Sequence, residues 1–167
     1  MKDRVISIVS WLIVLWTAKV FLSSIPYKFS GHPDTQHIFG TIGEWMKGIL
    51  GESFGQFFVN NGAVLVGSVE LFASIVLLSP ALFFLFSKTG LLKRPPARSL
   101  VHAIGGLMAA AVMTGAVFFH LVTPLGIEVL HQGKSDGGSL FFAALSIVIL
   151  GYIMSAANLM LWKSSKN

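Results

Sequence analysis

The stretch GAVLVGSVELFASIVLLSPALFFLF, residues 62–86, decides how this chain folds. It is long enough to cross a bilayer as a helix, since roughly 20 apolar residues span about 30 Å of hydrocarbon. One carboxylate, Glu70, lies within it, too far from either end to snorkel. Such a group is expensive to insert unless it is protonated, paired or facing a wet cavity. Ala63, Gly67, Glu70 and Ser74 follow steps of four, three and four, so small side chains share the acid's helical face. A second helix can approach closely there. The stretch reads as the central helix of a bundle, with Glu70 turned inward.

Composition agrees with a membrane setting. Of the 167 residues, 54% are hydrophobic and 11% charged, against about 25% charged in soluble domains. Mean hydropathy is +0.76. These values predict an all-α membrane protein in one domain, residues 1–167. The formal charge of +5 is read as a topology signal, and no nucleic-acid partner is expected. Cysteine is absent, which excludes disulfides, thiolate-bound iron–sulfur clusters and thiol exchange by the chain itself. No nucleophile–base pair, phosphate-binding glycine loop or nucleotide fingerprint is present, so no catalytic residue is assigned.

Four spans are predicted, at about 5–24, 62–86, 100–123 and 140–162, forming a four-helix transmembrane bundle. Pro26 is expected to end the first helix. Residues 27–61 then form an outer lid with a short amphipathic helix, His37 to Lys47, capped by Asp34 or Thr35. Gly48, Gly51 and Gly55 are expected to loosen the chain beyond that helix, and residues 128–138 read as a flexible polar connection. Four spans put both termini and the middle loop on one face, with Lys2, Arg4, Lys88, Lys93, Arg94, Arg98, Lys163 and Lys166. The other face has Lys28, Lys47 and Lys134 among several acids. The positive-inside rule then places both termini in the cytoplasm of a bacterial inner membrane.

The groups that can carry chemistry are few. Helix rise puts Lys19 about 7 Å, and Glu70 about 6 Å, to the outer side of the midpoints of their spans. Matched depth predicts a Lys19–Glu70 ion pair, either as a register lock or as part of a proton-handling site. His102, Gly106, Ala109, Met113, Ala116 and His120 share one face of the third span. Its two histidines lie about 27 Å apart along the axis and cannot share a metal. No other span contains a histidine, so haem is not expected, and His102 reads as interfacial. His32, His37, His120 and His131 match no metal-ligand spacing, so no metal site is assigned. Asn158 is expected to hydrogen-bond across the bundle.

Three segments resemble the DoxX-like family of small four-helix membrane proteins: VFLSSIPYKF at 20–29, VGSVELFASIVLLSP at 66–80 and MAAAVMTGAVFFH at 108–120. The resemblance implies that Lys28, Glu70 and His120 occupy shared polar positions, with Lys28 rather than Lys19 as the basic member. It also implies a small membrane partner in respiratory or redox assemblies. The expected ligand is a quinone or similar lipophilic molecule in an outer-half pocket lined by Lys28, Glu70 and His120, working with a membrane or periplasmic protein partner. Whether the chain is then a subunit of a quinone-linked oxidoreductase stays open. The alternative is a non-enzymatic scaffold or assembly factor whose polar residues are structural.

Overall fold

A computed structural model describes residues 2–166. The chain runs as α1 (Lys2–Ser30), α2 (Pro33–Leu50), α3 (Glu52–Lys88) and α4 (Arg98–Val122), then a small hairpin and α5 (Ser139–Ser164). The hairpin pairs β1 (Leu130–His131) with β2 (Lys134–Ser135). α1, α3, α4 and α5 are each long and apolar enough to cross a membrane. Their large side chains point outward, as with Leu12 (63% exposed), Phe72 (58%) and Phe84 (61%). The interior is made of Ile13, Val14 and Phe21 from α1, Ala73 and Leu77 from α3, Ala109 and Met113 from α4, and Ala144, Ile147 and Met154 from α5. This arrangement suits a bundle whose solvent is lipid.

The α4–α5 contact shows how closely the helices pack. A methyl group at Gly106 would stand 2.9 Å from the Gly151 carbonyl oxygen, and one at Gly151 would stand 2.9 Å from that of Gly106. Backbone meets backbone at this crossing, and Ser155 Oγ donates across it to the Ala103 carbonyl at 2.8 Å. In lipid, where apolar burial does not drive helix association, such close packing and interhelical hydrogen bonds hold a bundle together.

Several helix ends differ from the sequence expectation. Pro26 does not stop α1, which runs through it to Ser30. Proline removes one backbone donor, here the one that would reach Leu22, and the turn beyond is held by a C-terminal cap. Gly31, at φ +67°, lets His32 N–H reach the Tyr27 carbonyl at 3.1 Å, the closing bond of a Schellman motif. α2 therefore starts earlier than expected. Its cap is His32, whose Nδ1 accepts from Asp34 N–H at 3.3 Å, and Pro33 occupies the first turn. Of the three glycines expected to loosen the lid, only Gly51 breaks a helix, at φ +95°; Gly48 lies inside α2 and Gly55 inside α3.

α3 is 37 residues long, about 55 Å at helical rise, well beyond the hydrocarbon thickness. Its first turns therefore project outward and form an antiparallel hairpin with α2. The crossing point is glycine on glycine. A Cβ at Gly43 would lie 2.9 Å from the Gly55 carbonyl oxygen, and one at Gly55 would lie 2.6 Å from that of Gly43. The buried face of α2, with Phe39, Ile42 and Met46, makes the helix amphipathic as expected. Ile42 and Met46 join Leu125 and Val129 in a second, smaller core, with Phe58 and Phe119 packed beside it. The lid is thus a packed outer layer.

The connection expected to be flexible is built by hydrogen bonds. Asp136 accepts from the N–H groups of Val129 (2.8 Å), Gly138 (3.0 Å) and Leu140 (3.0 Å). The hairpin tip, Gln132–Gly133, has φ +51° and +75°, as a two-residue turn of the primed type requires.

These glycines generate a contrast. Gly43→Val should destabilise the outer layer by about 2 kcal/mol, within the overpacking range. Gly48→Ala, at a helical position with no atom near the added methyl, should be neutral or stabilise by about 0.5 kcal/mol. Thermal unfolding of the two variants in detergent checks the difference.

Candidate functional site

Glu70 sits on the interior face of α3 with 3% exposure. It pairs with Lys28, whose Nζ lies 2.6 Å from Oε2. Ser24, one turn before Lys28 on α1, completes the group. Its hydroxyl accepts from Lys28 Nζ at 2.8 Å and has one hydrogen to share between Glu70 Oε2 (2.9 Å) and the Phe21 carbonyl (2.7 Å). Gly67, one turn before Glu70, eases the contact, with the Phe29 ring carbon the nearest atom to an added Cβ at 3.0 Å. A Cβ there would come within 3.3 Å of the Lys28 Cβ and Cδ, so glycine leaves the slot in which the lysine stem crosses α3.

The Lys19–Glu70 ion pair is not formed. Lys19 is exposed, and its Nζ stands 5.7 Å from the centre of the Trp16 ring. Nine residues separate Lys19 from Lys28, two and a half helical turns, so the two lysines point to opposite sides of α1. Matching depths constrained the position along the helix but not the direction around it.

Some hydrogen-bonding capacity in the pair is unused. An ammonium has three donors, and Lys28 directs two of them to Ser24 and Glu70. Glu70 Oε1 has no hydrogen bond among the described residues. Lys28 keeps 14% side-chain exposure. A donor and an acceptor therefore stand next to each other at a partly accessible point between α1 and α3.

His120 is buried at the outer end of α4 and is engaged separately. A carbonyl can only accept, so Nδ1 donates to Gly126 O at 2.6 Å, and the ring meets Phe141 edge-on. That bond ties the turn after α4 back onto the helix. Among the described residues, no hydrogen bond or ion pair joins His120 to Lys28 or Glu70.

Two further polar groups were not foreseen as units. On the outer surface, Asp34 gathers His131, at 2.7 Å from Nδ1, and His32, at 3.5 Å, while His37 and His131 stack with ring centres 4.6 Å apart. The one signal in sequence was that Asp34 and His37 lie three apart on a helix face; β1 brings His131 to them. Among the described residues, no set of three or more His, Asp or Glu side chains is arranged to hold a metal ion. The hydrogen bond from His131 holds the Asp34 carboxyl below the usual carboxylate range, against desolvation, with the charges of His32, His131 and Lys134 adding to it.

The second group lies at the opposite end of the bundle. Asn158 is fully buried and reaches across the bundle as expected. Its Nδ2 donates to Ser10 Oγ on α1 at 2.7 Å, and its Oδ1 accepts from Arg98 on α4 at 3.3 Å. His102, expected at the interface, is instead fully buried, between Arg98 (3.2 Å from Nδ1) and the Trp11 ring. Its Nε2 has no partner among the described residues. The helical step of four from Arg98 to His102 was visible in the sequence; the closing of α1 and α3 over it was not.

Compared with protein-family models, curated proteins and solved structures, the chain matches none.

Two measurements test this geometry. Glu70→Gln removes the charge that pairs with the half-buried Lys28 and should cost about 2 kcal/mol. The Lys28→Met/Glu70→Leu double variant should recover most of that loss, while Lys19→Met should show no coupling to Glu70 in a double-mutant cycle of unfolding free energies. For Asp34, a lowered carboxyl pKa means that the stabilisation is present at neutral pH and is lost as pH falls through the lowered value. Amide exchange at Val129–Ser135, corrected for intrinsic rates, should accelerate over that fall in wild type, and should already be fast at neutral pH in Asp34→Asn.

Proposed function

We propose that this chain is a small inner-membrane subunit of a redox or respiratory assembly that holds a quinone, or a similar lipophilic carbonyl compound, against Lys28–Glu70. The observation that carries the reading is the unused donor on Lys28 beside the unused oxygen of Glu70, at a point with partial access. A quinone oxygen accepts a hydrogen bond and a quinol hydroxyl donates one, so adjacent donor and acceptor serve both redox states. The tail needs an apolar surface, which α1 and α3 supply beside the pair. Support also comes from the resemblance of residues 20–29, 66–80 and 108–120 to DoxX-like proteins, whose shared polar positions include Lys28, Glu70 and His120. In this reading His120 shapes the outer end of α4 and does not touch the ligand. Both termini face the cytoplasm, because the basic residues cluster at the start of α1, between α3 and α4, and after α5.

A second reading has its own observation. Lys28 already neutralises Glu70 and Ser24 donates to it, and His120 is occupied by Gly126. The same polar atoms then act as a register lock in a scaffold or assembly factor.

Mass spectrometry of lipids and quinones carried by protein gently extracted from its own membrane separates the two. The redox reading expects a quinone on wild type and its loss in Glu70→Gln. Addition of a short-chain quinone should also raise the unfolding temperature of wild type, and not that of the variant. A folded, monodisperse wild type that carries no quinone and shows no thermal shift would transfer the assignment to the scaffold.

A further inference from the structure

Arg98 opens α4 at the end of the bundle that carries eight of the chain's twelve Lys and Arg residues and a single acid, Asp3. Its side chain is half-buried and tied inward. Nη1 donates to His102 Nδ1 at 3.2 Å and to Asn158 Oδ1 at 3.3 Å, and both of those residues are fully buried. A guanidinium carries five N–H donors and no acceptor. The two on Nη1 are used, while Nε and Nη2 make no hydrogen bond among the described residues. Those two nitrogens form one edge of the guanidinium fork, the geometry that holds a carboxylate or phosphate through two parallel bonds. Arg98 also makes no ion pair among the described residues. The protein fixes the direction of this cation and leaves its bidentate edge without an anion.

Arg98 lines an open groove of about 450 Å³ between α1, α3 and α4, together with Trp11, Pro80, Ala81, Phe84 and Leu85. That volume is within the range of small-ligand sites, roughly 300–1,000 Å³. Arg98 is the one charged residue of the lining; the α3 wall is wholly apolar. Trp11 is held in place edge-on against His102, with ring centres 4.8 Å apart. A second cation stands beside the groove, since Lys88 Nζ lies 5.6 Å from the centre of the Phe84 ring. No carboxylate lines the groove. Asp3 is eight residues from Trp11 along α1, about 12 Å at helical rise. A fixed cation at one end of an apolar slot is complementary to an amphiphile with a negative head.

We infer that this groove seats one anionic phospholipid, with its phosphodiester on the Nε–Nη2 edge of Arg98 and an acyl chain along Pro80, Ala81 and Phe84. Basic pockets between membrane helices recognise anionic headgroups through the same chemistry. The acyl wall runs from Phe84 back along α3 to Pro80, away from the charged end of that helix at Lys88. A zwitterionic lipid offers the same phosphate but adds an ammonium, which would meet Lys88, Lys93 and Arg94 with no acid in the groove to receive it. An uncharged head, such as the glycerol of phosphatidylglycerol, avoids that repulsion. Pro80 is ten residues from Glu70, about 15 Å along α3, and the inference does not depend on what Lys28–Glu70 binds.

The test uses full-length protein stripped of lipid in detergent, with native mass spectrometry after addition of phosphatidylglycerol or phosphatidylethanolamine of the same acyl chains. One phosphatidylglycerol should bind roughly tenfold more tightly than phosphatidylethanolamine, the worth of one hydrogen bond to a charged group. Arg98→Gln should abolish that preference. Arg98→Lys, which keeps the charge and loses the two-bond edge, should retain only part of it. Ala81 is exposed, so Ala81→Phe should narrow the groove, keep the wild-type unfolding temperature and lose the preference with the guanidinium still in place. Lys93→Gln/Arg94→Gln, on the exposed connection, should leave it intact. Equal binding of the two lipids by wild type would overturn the inference. A preference that survives Arg98→Gln or Ala81→Phe, or disappears in Lys93→Gln/Arg94→Gln, would overturn it in favour of diffuse attraction to the basic surface. Displacement of the bound lipid by glycerol phosphate would overturn it in favour of a site for a free phosphate ester.

Discussion

A carboxylate inside an apolar helix has to meet a positive charge or a proton, and Glu70 meets Lys28 at 2.6 Å. Much of the bundle's outer half depends on that contact. It brings the last turns of α1 against the middle of α3, where Gly67 leaves room for the lysine stem and the Phe29 ring. It also commits one side of α1 to α3, which turns Lys19 outward. The value of the pair lies less in net stabilisation than in uniqueness. Breaking a buried pair from either side is costly, so other registers of α1 on α3 are penalised.

Elsewhere the helices are held by close approach. Gly106 with Gly151 brings α4 onto α5, and Gly43 with Gly55 brings α2 onto the projecting part of α3. The two crossings serve different surroundings. The first packs helices whose exposed faces are apolar, with Leu107, Phe118, Ile149 and Ile153 among them. The second closes a layer with charged residues such as Glu44, Lys47 and Glu52 on its outside. Polar side chains then add links between helices, with Asn158 tying α5 to α1 and α4 at one end and His120 fastening the turn after α4 at the other.

Periodicity read well where one helix has one face to bury. Gly106, Ala109, Met113 and His120 are interior, as their steps of three and four implied, with Ala116 half-buried on the same face, whereas His102, read as interfacial, is fully buried. It read poorly where two segments settle a position between them. Pro26 looked like a terminator, yet α1 continues past it to Ser30 because Gly31 supplies the left-handed residue for the cap. Residues 52–61 looked loose because of their glycine and polar content. They are helical because Gly43 on α2 admits Gly55. The connection after α4 looked flexible, and Asp136 orders it through contacts that depend on the turn's geometry.

Hydropathy, span length and the distribution of lysine and arginine determined an all-α bundle with four membrane-length helices, an amphipathic segment after the first, and an ionisable group in the second span that needs a partner. These are properties of local composition against the surrounding solvent, and each can be summed along the chain. Which lysine meets Glu70, which histidine is buried beside Arg98, and which residues gather around Asp34 were decided in three dimensions. Each depends on the rotation of one helix about its axis relative to another, and composition and depth leave that angle free until close packing and charge pairing select it.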